Sequence, residues 1–521
     1  MSSVEEVQEV VVSRPPTAIR PPENPTSPSE SSIQGVEKVL VKDLSVLPPD
    51  SPSETSLLPN IEKCIIKDVS ELMIPEDIGT FDLEAQSTAN RIISPVRYTF
   101  LNIYRRLFTL VFLANIGVFI YVLVADRKLL ALVNASAANL LACGLARQPL
   151  VVNTIFVTVC SIPRWAPLFL RRLCSKVYHY GGVHSGCGVA SLIWYLGFIG
   201  EFSRQYWSPP AGTTSPFSAA PITLAYIILV LLLAIIVVAY PTFRSKMHDY
   251  FELTHRFSGW LVVALFVILL MVFVDEASTA EGKSFGRFLI ELPAFWFLMV
   301  VVVAIIHPWV FLRKVKVTPE YLSPHAVRLH FTHTKTTFGK GIQLSKHPLK
   351  DWHGFATFPD PDSNGKSFSS LISKAGDWTA ATIKDQPTHL WKRGVLVYGF
   401  AYAMRVYKRV VVVTTGSGIG PCLSFLGDDN RPSLRVIWQT RAPKRTYGKE
   451  VLNLVGRMDP NPVIIDTNSS GRLDMIPLIR HIAREHDAEA ICVISNPVVT
   501  KRTVYQLESL GIPAYGPIFD S

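Results

Sequence analysis

Between Leu107 and Leu312 the chain repeats apolar runs, each near the ~20 residues that cross a bilayer core. There are six, at roughly Leu107–Ala125, a run within Ala135–Ile162 interrupted by Arg147 and Pro149, then Val183–Gly200, Pro221–Tyr240, His255–Val274 and Leu289–Leu312. With 49% apolar and 18% charged residues among 521, this is no ordinary soluble enzyme, and its length suits two or three domains. The net charge of +10 does not point to nucleic acid, because Lys and Arg gather beside the apolar runs. Arg105 and Arg106 precede the first, Arg164, Arg171, Arg172 and Lys176 follow the second, Arg244 and Lys246 the fourth, and Arg313, Lys314 and Lys316 the sixth. The positive-inside rule then predicts both termini in the cytosol. Arg147 is expected either as a functional charge at depth or, through a break at Gln148-Pro149, in the outer interface.

Residues 1 to about 95 are rich in Pro, Ser and Glu and lack a basic segment followed by an apolar core. They read as a disordered cytosolic arm rather than a signal peptide. The seven cysteines form no CxxC pair, which gives neither a disulfide framework nor a zinc site, and no other metal cluster is expected.

His184 opens the third run and His255 the fifth, so this topology sets them at one depth on the cytosolic side. Histidines from neighbouring helices can clamp a haem. A second haem would need ligands 13 or 14 residues further on, because 14 residues rise ~21 Å and return almost to the same helix face. Those positions hold Gly197 and Phe198, and Ile268 and Leu269. Two readings stand for the histidine pair: ligands of a single haem, or polar caps at two helix starts.

From about Val315 the pattern is soluble and mixed α/β. Short alternating stretches in Val315–Phe331 and Phe355–Ile372 suggest a small antiparallel barrel. After Gly399 a buried strand, Arg409–Thr415, runs into Gly416-Ser417-Gly418-Ile419-Gly420-Pro421. Strand-like runs at Leu434–Gln439, Val463–Asp466 and Ala490–Ser495 then alternate with helix-like segments at Gly448–Arg457, Leu473–Glu485 and Val499–Leu510. That order predicts a doubly wound parallel sheet, and the glycines let backbone amides approach a pyrophosphate. The expected boundaries are 1–95 for the arm, 96–313 for the six-span part, 314–400 for the barrel and 401–521 for the α/β domain.

The strand ending in GSGIGP, the segment VIWQTRAPKRTYGKEV and the upstream DWHGFATF and SKAGDWT resemble the ferredoxin-reductase-like half of membrane ferric reductases and NADPH oxidases. The six-run part resembles their haem-bearing domain. YHYGGVHSG, KRVVVVTTGSGIGPCLSFL, VIIDTNSSGRLDM and the ending VISNPVV…GIPAYGPIFDS are similar to the fungal TmpA-type integral membrane flavoproteins, which include transmembrane parts of synthetase-like adenylation proteins. The likeness runs from about Arg97 to the C-terminus.

The resemblance implies FAD along Trp352, His353, Phe355 and Ala356, with its phosphates at Gly376, Asp377, Trp378, Thr379 and Arg393. Gly354 and Ala356 depart from the family pattern, which has a proline and a hydroxyl residue there. It places the nicotinamide dinucleotide on Gly416, Ser417, Gly418, Gly420 and Pro421, with Asn496 and Pro497 at the nicotinamide end. Thr440, Arg441, Lys444, Arg445 and Tyr447 resemble the cluster that grips a 2′-phosphate, which favours NADPH over NADH.

The implied cofactors are FAD, NADPH (or NADH) and, as a candidate, one haem b on His184 and His255. The expected activity is membrane-bound NAD(P)H-dependent flavin oxidoreduction, with the bilayer and a small-molecule or lipid electron acceptor as partners. The plasma membrane is the expected location, and relatives of this type suggest a redox or developmental (conidiation) signal. The alternative is a non-catalytic dinucleotide-binding sensor or partner subunit on the same fold.

Overall fold

The computed structural model describes residues 61–67, 96, 101–125, 128–209, 211–212, 214–363, 365–428 and 430–518. The apolar runs form helices α1 (Ile103–Ala125), α2 (Leu129–Leu145), α3 (Pro149–Val159), α5 (Gly181–Trp207), α6 (Ala219–Val238), α7 (His248–Ala280) and α8 (Pro293–Val310), with the short α4 (Leu168–Cys174) between α3 and α5. By length and composition, five helical segments could cross a membrane, or six if the bent pair α2 and α3 counts as one span.

That bent pair corrects the expectation for the second run. The chain turns by 74° between α2 and α3, because Pro149 cannot donate to the preceding turn and Gln148 caps the new helix, its Oε1 accepting from the amides of Leu150 and Val151. Helix α3 leaves the apolar bundle. Val152, Phe156 and Cys160 join the core that also holds Tyr402, Tyr407 and Val412, and Asn153 donates to the Leu396 carbonyl at 2.9 Å while accepting from the Tyr398 amide at 2.8 Å. Arg147 therefore sits at the end of the bundle nearest the C-terminal module, one turn beyond Cys143, and not at the opposite end.

The module begins with two antiparallel sheets. One is ordered β10 (Val397–Tyr398), β5 (Lys340–Ser345), β9 (His389–Lys392), β2 (Arg313–Lys316), with β6 (His353–Ala356) also paired to β5. The other is ordered β3 (Thr318–Ser323), β4 (Ala326–Phe331), β8 (Phe368–Ser373), β7 (Phe358–Pro359). Val315, Leu329, Phe331, Ile342, Leu344 and Ile372 fill the space between them, as the period-two alternation requires. Helix α9 (Asp377–Asp385) follows β8.

A third sheet is wholly parallel, ordered β1 (Ile65–Ile66), β13 (Val463–Asp466), β12 (Ser433–Thr440), β11 (Arg409–Thr415), β14 (Ala490–Ile494), β15 (Ala514–Tyr515). Its centre reads as the near-continuous apolar run expected of a strand covered on both faces: Val410, Val411, Val412 and Val413 are all buried. Helices α10 (Pro443–Met458), α11 (Met475–Glu485) and α12 (Pro497–Ser509) supply the crossovers. The chain thus forms two packed antiparallel sheets where a barrel was expected, followed by the expected doubly wound sheet. Strand β1 corrects one expectation, since residues 61–67 belong to the fold: Ile65 and Ile66 pair with Ile464 and Ile465, and Ile61 packs against Gly456. The rest of the expected arm lies outside the described residues, apart from Val96.

Candidate functional site

In an open parallel sheet a ligand crevice opens where the strand order reverses. Here that point is the C-terminal end of β11, flanked by β12 and β14. The following loop starts with Gly416 at φ +48°, a conformation open to glycine at little cost. A side chain at Gly418 would run into the Ile494 carbonyl and the Thr414 hydroxyl. The Trp438 Nε1 donates to the Gly416 carbonyl at 3.0 Å and fixes the loop.

A cleft of about 1150 Å³ opens over this edge. Of the residues the motifs nominate, Gly416, Ser417, Thr440, Arg441, Arg445, Tyr447 and Asn496 line it. Gly418, Gly420, Pro421 and Pro497 do not; Gly418 and Gly420 let the loop pack closely on β14 and on Leu371, and Pro497 starts α12. Lys444 points elsewhere, its ammonium 2.9 Å from a Glu62 carboxylate oxygen. Tyr447 is held by the core, its ring 5.1 Å from that of Trp438, and burial pushes its phenol up to about 12.

Sequence reasoning missed Arg472, Arg502 and Lys374, which line the same cleft. Asp474 is the one carboxylate among the cleft-lining residues, and it is occupied in capping α11 through the Ile476 amide. The four arginines form no ion pair with a carboxylate among the described residues. Parallel pairing of β12 with β13 brings Arg441 and Arg472 to one edge, and the bond from the Leu473 amide to Gln439 Oε1 at 2.8 Å ties Arg472's loop to β12. Ala442, next to Arg441, has φ +44° and donates its amide to Asp466 Oδ1 at 2.8 Å. A non-glycine residue held in the left-handed region beside a binding edge is local strain of the kind found at functional sites.

The residues nominated for a flavin fall into two groups. His353, Phe355 and Trp378 come together: the Trp378 ring lies 4.6 Å from that of His353 and 5.5 Å from that of Phe355. The His353 Nε2 and Trp378 Nε1 are both buried without a hydrogen-bond partner. Ala356, at the end of β6, pairs with Gly341. Gly376 precedes α9, and the Thr379 hydroxyl accepts from the amides of Ala375 and Gly376, capping that helix, with Asp377 in its first turn. Trp352 and Arg393 lie apart from this group, against the bundle. The guanidinium of Arg393 stacks 4.6 Å from the Trp352 ring and 5.4 Å from that of Trp309, at the end of α8. Burial draws its pKa down to about 10. Gly394 binds the same helix end, its amide donating to Pro308 O at 2.9 Å. Arg393 therefore joins the module to the bundle, a role its motif did not suggest.

His184 and His255 do meet, with ring centroids 6.2 Å apart. His184 Nδ1 donates to the Cys143 carbonyl at 2.9 Å, leaving Nε2 as the acceptor nitrogen, and His255 Nδ1 is buried without a partner. At the opposite end of the bundle Phe198 and Leu269 face an apolar cavity of about 40 Å³.

Residues 400–521 match a family described as adenylate-forming reductase 03009, C-terminal domain. The chain is 38% identical over 504 residues to adenylate-forming reductase 06235 of Coprinopsis cinerea, covering 96% of this chain and 47% of that protein. It is 39% identical over 441 residues to adenylate-forming reductase 03009 of the same fungus, covering 84% and 42%. The curated relatives are reductases by name. The chain spans about half the length of each, and neither name refers to a TmpA-type or ferric reductase protein. Among solved structures, a ferredoxin NADP+ reductase from Neisseria gonorrhoeae with bound FAD and NADP aligns at 15% identity over 40% of this chain and 98% of that one, with a TM-score of 0.33. A flavohemoglobin from Malassezia yamatoensis aligns at 12% identity over 74% and 98%, with a TM-score of 0.35.

Proposed function

We propose that this chain is a membrane-embedded NADPH-dependent flavin oxidoreductase whose acceptor is reached from the side of the C-terminal module. The cleft over β11 carries the reading. It joins a glycine loop at a strand-order reversal to five cations and one carboxylate, a balance suited to a ligand with a diphosphate and a further phosphate monoester, the latter bearing about −1.5 to −2. The loop amides would take the diphosphate. Arg441, Arg445 and Arg472 would take the 2′-phosphate, where planar guanidinium donors bind in pairs.

One point of chemistry supports a flavin beside these residues: His353 Nε2 and Trp378 Nε1 are buried without a hydrogen-bond partner, and a flat heteroaromatic ring would supply one. His353, Phe355 and Trp378 would hold that ring, and the first turn of α9 the diphosphate. Bound FAD supplies the exchange between two-electron and one-electron transfer. The protein's own part is to place the dinucleotide, to exclude water with Phe355 and Trp378, and to keep the module against the bundle through Arg393.

His184 and His255 fit a single haem. The two imidazoles, 6.2 Å apart, would be its ligands, and the bond from His184 Nδ1 to the Cys143 carbonyl would leave Nε2 free to bind a metal. No second pair exists at Phe198 and Leu269, so electrons would not cross to the far side. This separates the chain from the ferric reductases and NADPH oxidases its motifs resemble.

The second reading is a dinucleotide-binding sensor without turnover. The departures Gly354 and Ala356 from the flavin motif favour it. The absorption spectrum of the detergent-purified chain before and after anaerobic NADPH decides between them. A flavin band that bleaches supports the reductase, a reducible Soret band adds the haem, and a chain that binds NADPH with no flavin band is the sensor.

A further inference from the structure

The segment between the second and third apolar runs has two faces with different tasks. One side of α4 and its C-terminal extension grips the dinucleotide domain. Arg171, 4% exposed, donates to both oxygens of Glu489 at 2.7 and 2.8 Å and to the Val406 carbonyl, and the Ser175 hydroxyl meets the Tyr407 phenol at 2.8 Å. The other side has no protein partner among the described residues. Phe169 and Leu173, four residues apart and so on one helix face, are 69% and 66% exposed, and Trp165 in the turn before them is 81% exposed. Helix α3 repeats the arrangement, with Val152 and Phe156 in the module core and Leu150 and Val157 exposed.

Large apolar side chains at such exposure, on a helix whose opposite face is fixed by a buried ion pair, are not loose surface; they form a continuous apolar strip that water would not favour. Residues 164–176 carry Arg164, Arg171, Arg172 and Lys176 and no carboxylate. Six residues separate Cys174, the last residue of α4, from Gly181, where α5 re-enters the apolar bundle.

We propose that α4 and the turn before it lie in the interfacial layer of the bilayer leaflet nearest the module, with Trp165, Phe169 and Leu173 among the acyl chains. Phenylalanine and leucine on one helix face, with a tryptophan in the turn before it and basic residues nearby, is the composition of helices that rest in that layer. The dinucleotide domain is thereby held to the membrane surface by a helix clamped between Glu489 and lipid. The inference rests on the membrane reading above.

It is tested on the full chain in nanodiscs of mixed zwitterionic and anionic lipid, with a fluorescent amino acid encoded in place of Phe169, or of Leu173 should the first variant misfold. Reference probes replace Val230 on α6 and Val498 on α12, which are 65% and 76% exposed. Nitroxide-bearing lipids report bilayer contact and iodide reports water. The expected result is strong lipid quenching at 169 and 230 and iodide quenching at 498. A probe at 169 that iodide reaches as it does at 498 overturns the proposal, and so does one that neither quencher reaches, which would mean a protein partner or a second copy. Loss of lipid quenching at 230 overturns the membrane reading itself, and this proposal with it.

Discussion

Lys444 lies 2.9 Å from Glu62, so the cation that the sequence motif assigns to a 2′-phosphate is directed instead at the segment ahead of the apolar helices. Arg472 faces the cleft in its place. Arg472→Ala should raise the KM or Kd for NADPH at least tenfold, about 1.4 kcal/mol for each factor of ten, and leave that for NADH within twofold. Lys444→Ala should change neither. Calorimetry with NADPH, NADH and 2′,5′-ADP measures this, and equal losses for both dinucleotides in Arg472→Ala would refute the assignment.

Gly418 allows the loop to approach β14. Gly418→Ala places a methyl group against the Ile494 carbonyl and the Thr414 hydroxyl, backbone and core atoms with little freedom to move. Overpacking of this kind costs about 1–3 kcal/mol. The expected outcome is a lower melting temperature together with loss of dinucleotide binding, whereas Gly286→Ala, where nothing lies within 4 Å, should be silent in both assays.

Glu489 receives Arg171 twice and the Lys408 amide once. Removing one partner of a buried pair leaves an uncompensated charge at a cost of about 3–5 kcal/mol. Arg171→Met should therefore expose the C-terminal domain to limited proteolysis. Adding Glu489→Gln, which keeps an acceptor for the Lys408 amide, should recover much of the protection. A double variant as labile as the single one would mean that the pair is not what docks the domain.

His330 sits between two acids, 3.3 Å from Asp360 and 3.0 Å from Glu320. Hydrogen bonds to Asp360 and then Glu320 raise its pKa from 6.5 to about 8. A folded-state pKa above the unfolded one means that the stabilisation is complete below about 6.5 and is lost as pH rises through about 8. Thermal stability of the barrel should fall between these values, and His330→Gln should flatten that part of the profile. An unchanged slope in the variant would assign the pH response to other groups.

The strand and glycine turn at the edge of the cleft were legible in the sequence because their signals are local: Val410 to Gly420 places both in one stretch. Arg472, Arg502 and Lys374 were not, since they come from three remote segments and only strand order brings them to one cleft. Gln148-Pro149 announced a helix break correctly, but not the side on which it falls. That depended on the second run beginning at Leu129, four residues past the end of α1, so that α2 returns early and Arg147 emerges beside the module. His184 and His255 shared a depth on paper, and their contact follows from the packing of α5 and α7. Arg393 was read through a phosphate motif, and the burial of Trp352 and Trp309 around it had no local signature.

The 74° turn that sends α3 into the C-terminal core also sets an order in time. Asn153 finds its partners at Leu396 and Tyr398, 243 and 245 residues later. At roughly 5–20 residues per second on the ribosome, the inner face of α3, with Val152 and Phe156, waits roughly 10–50 s for the surface that covers it. Until then a nascent chain already threaded through α1 and α2 displays an uncovered apolar helix. Any message or product ending ahead of Leu396 leaves it uncovered for good, which makes truncation in the second half a more serious lesion for the first half than its position suggests.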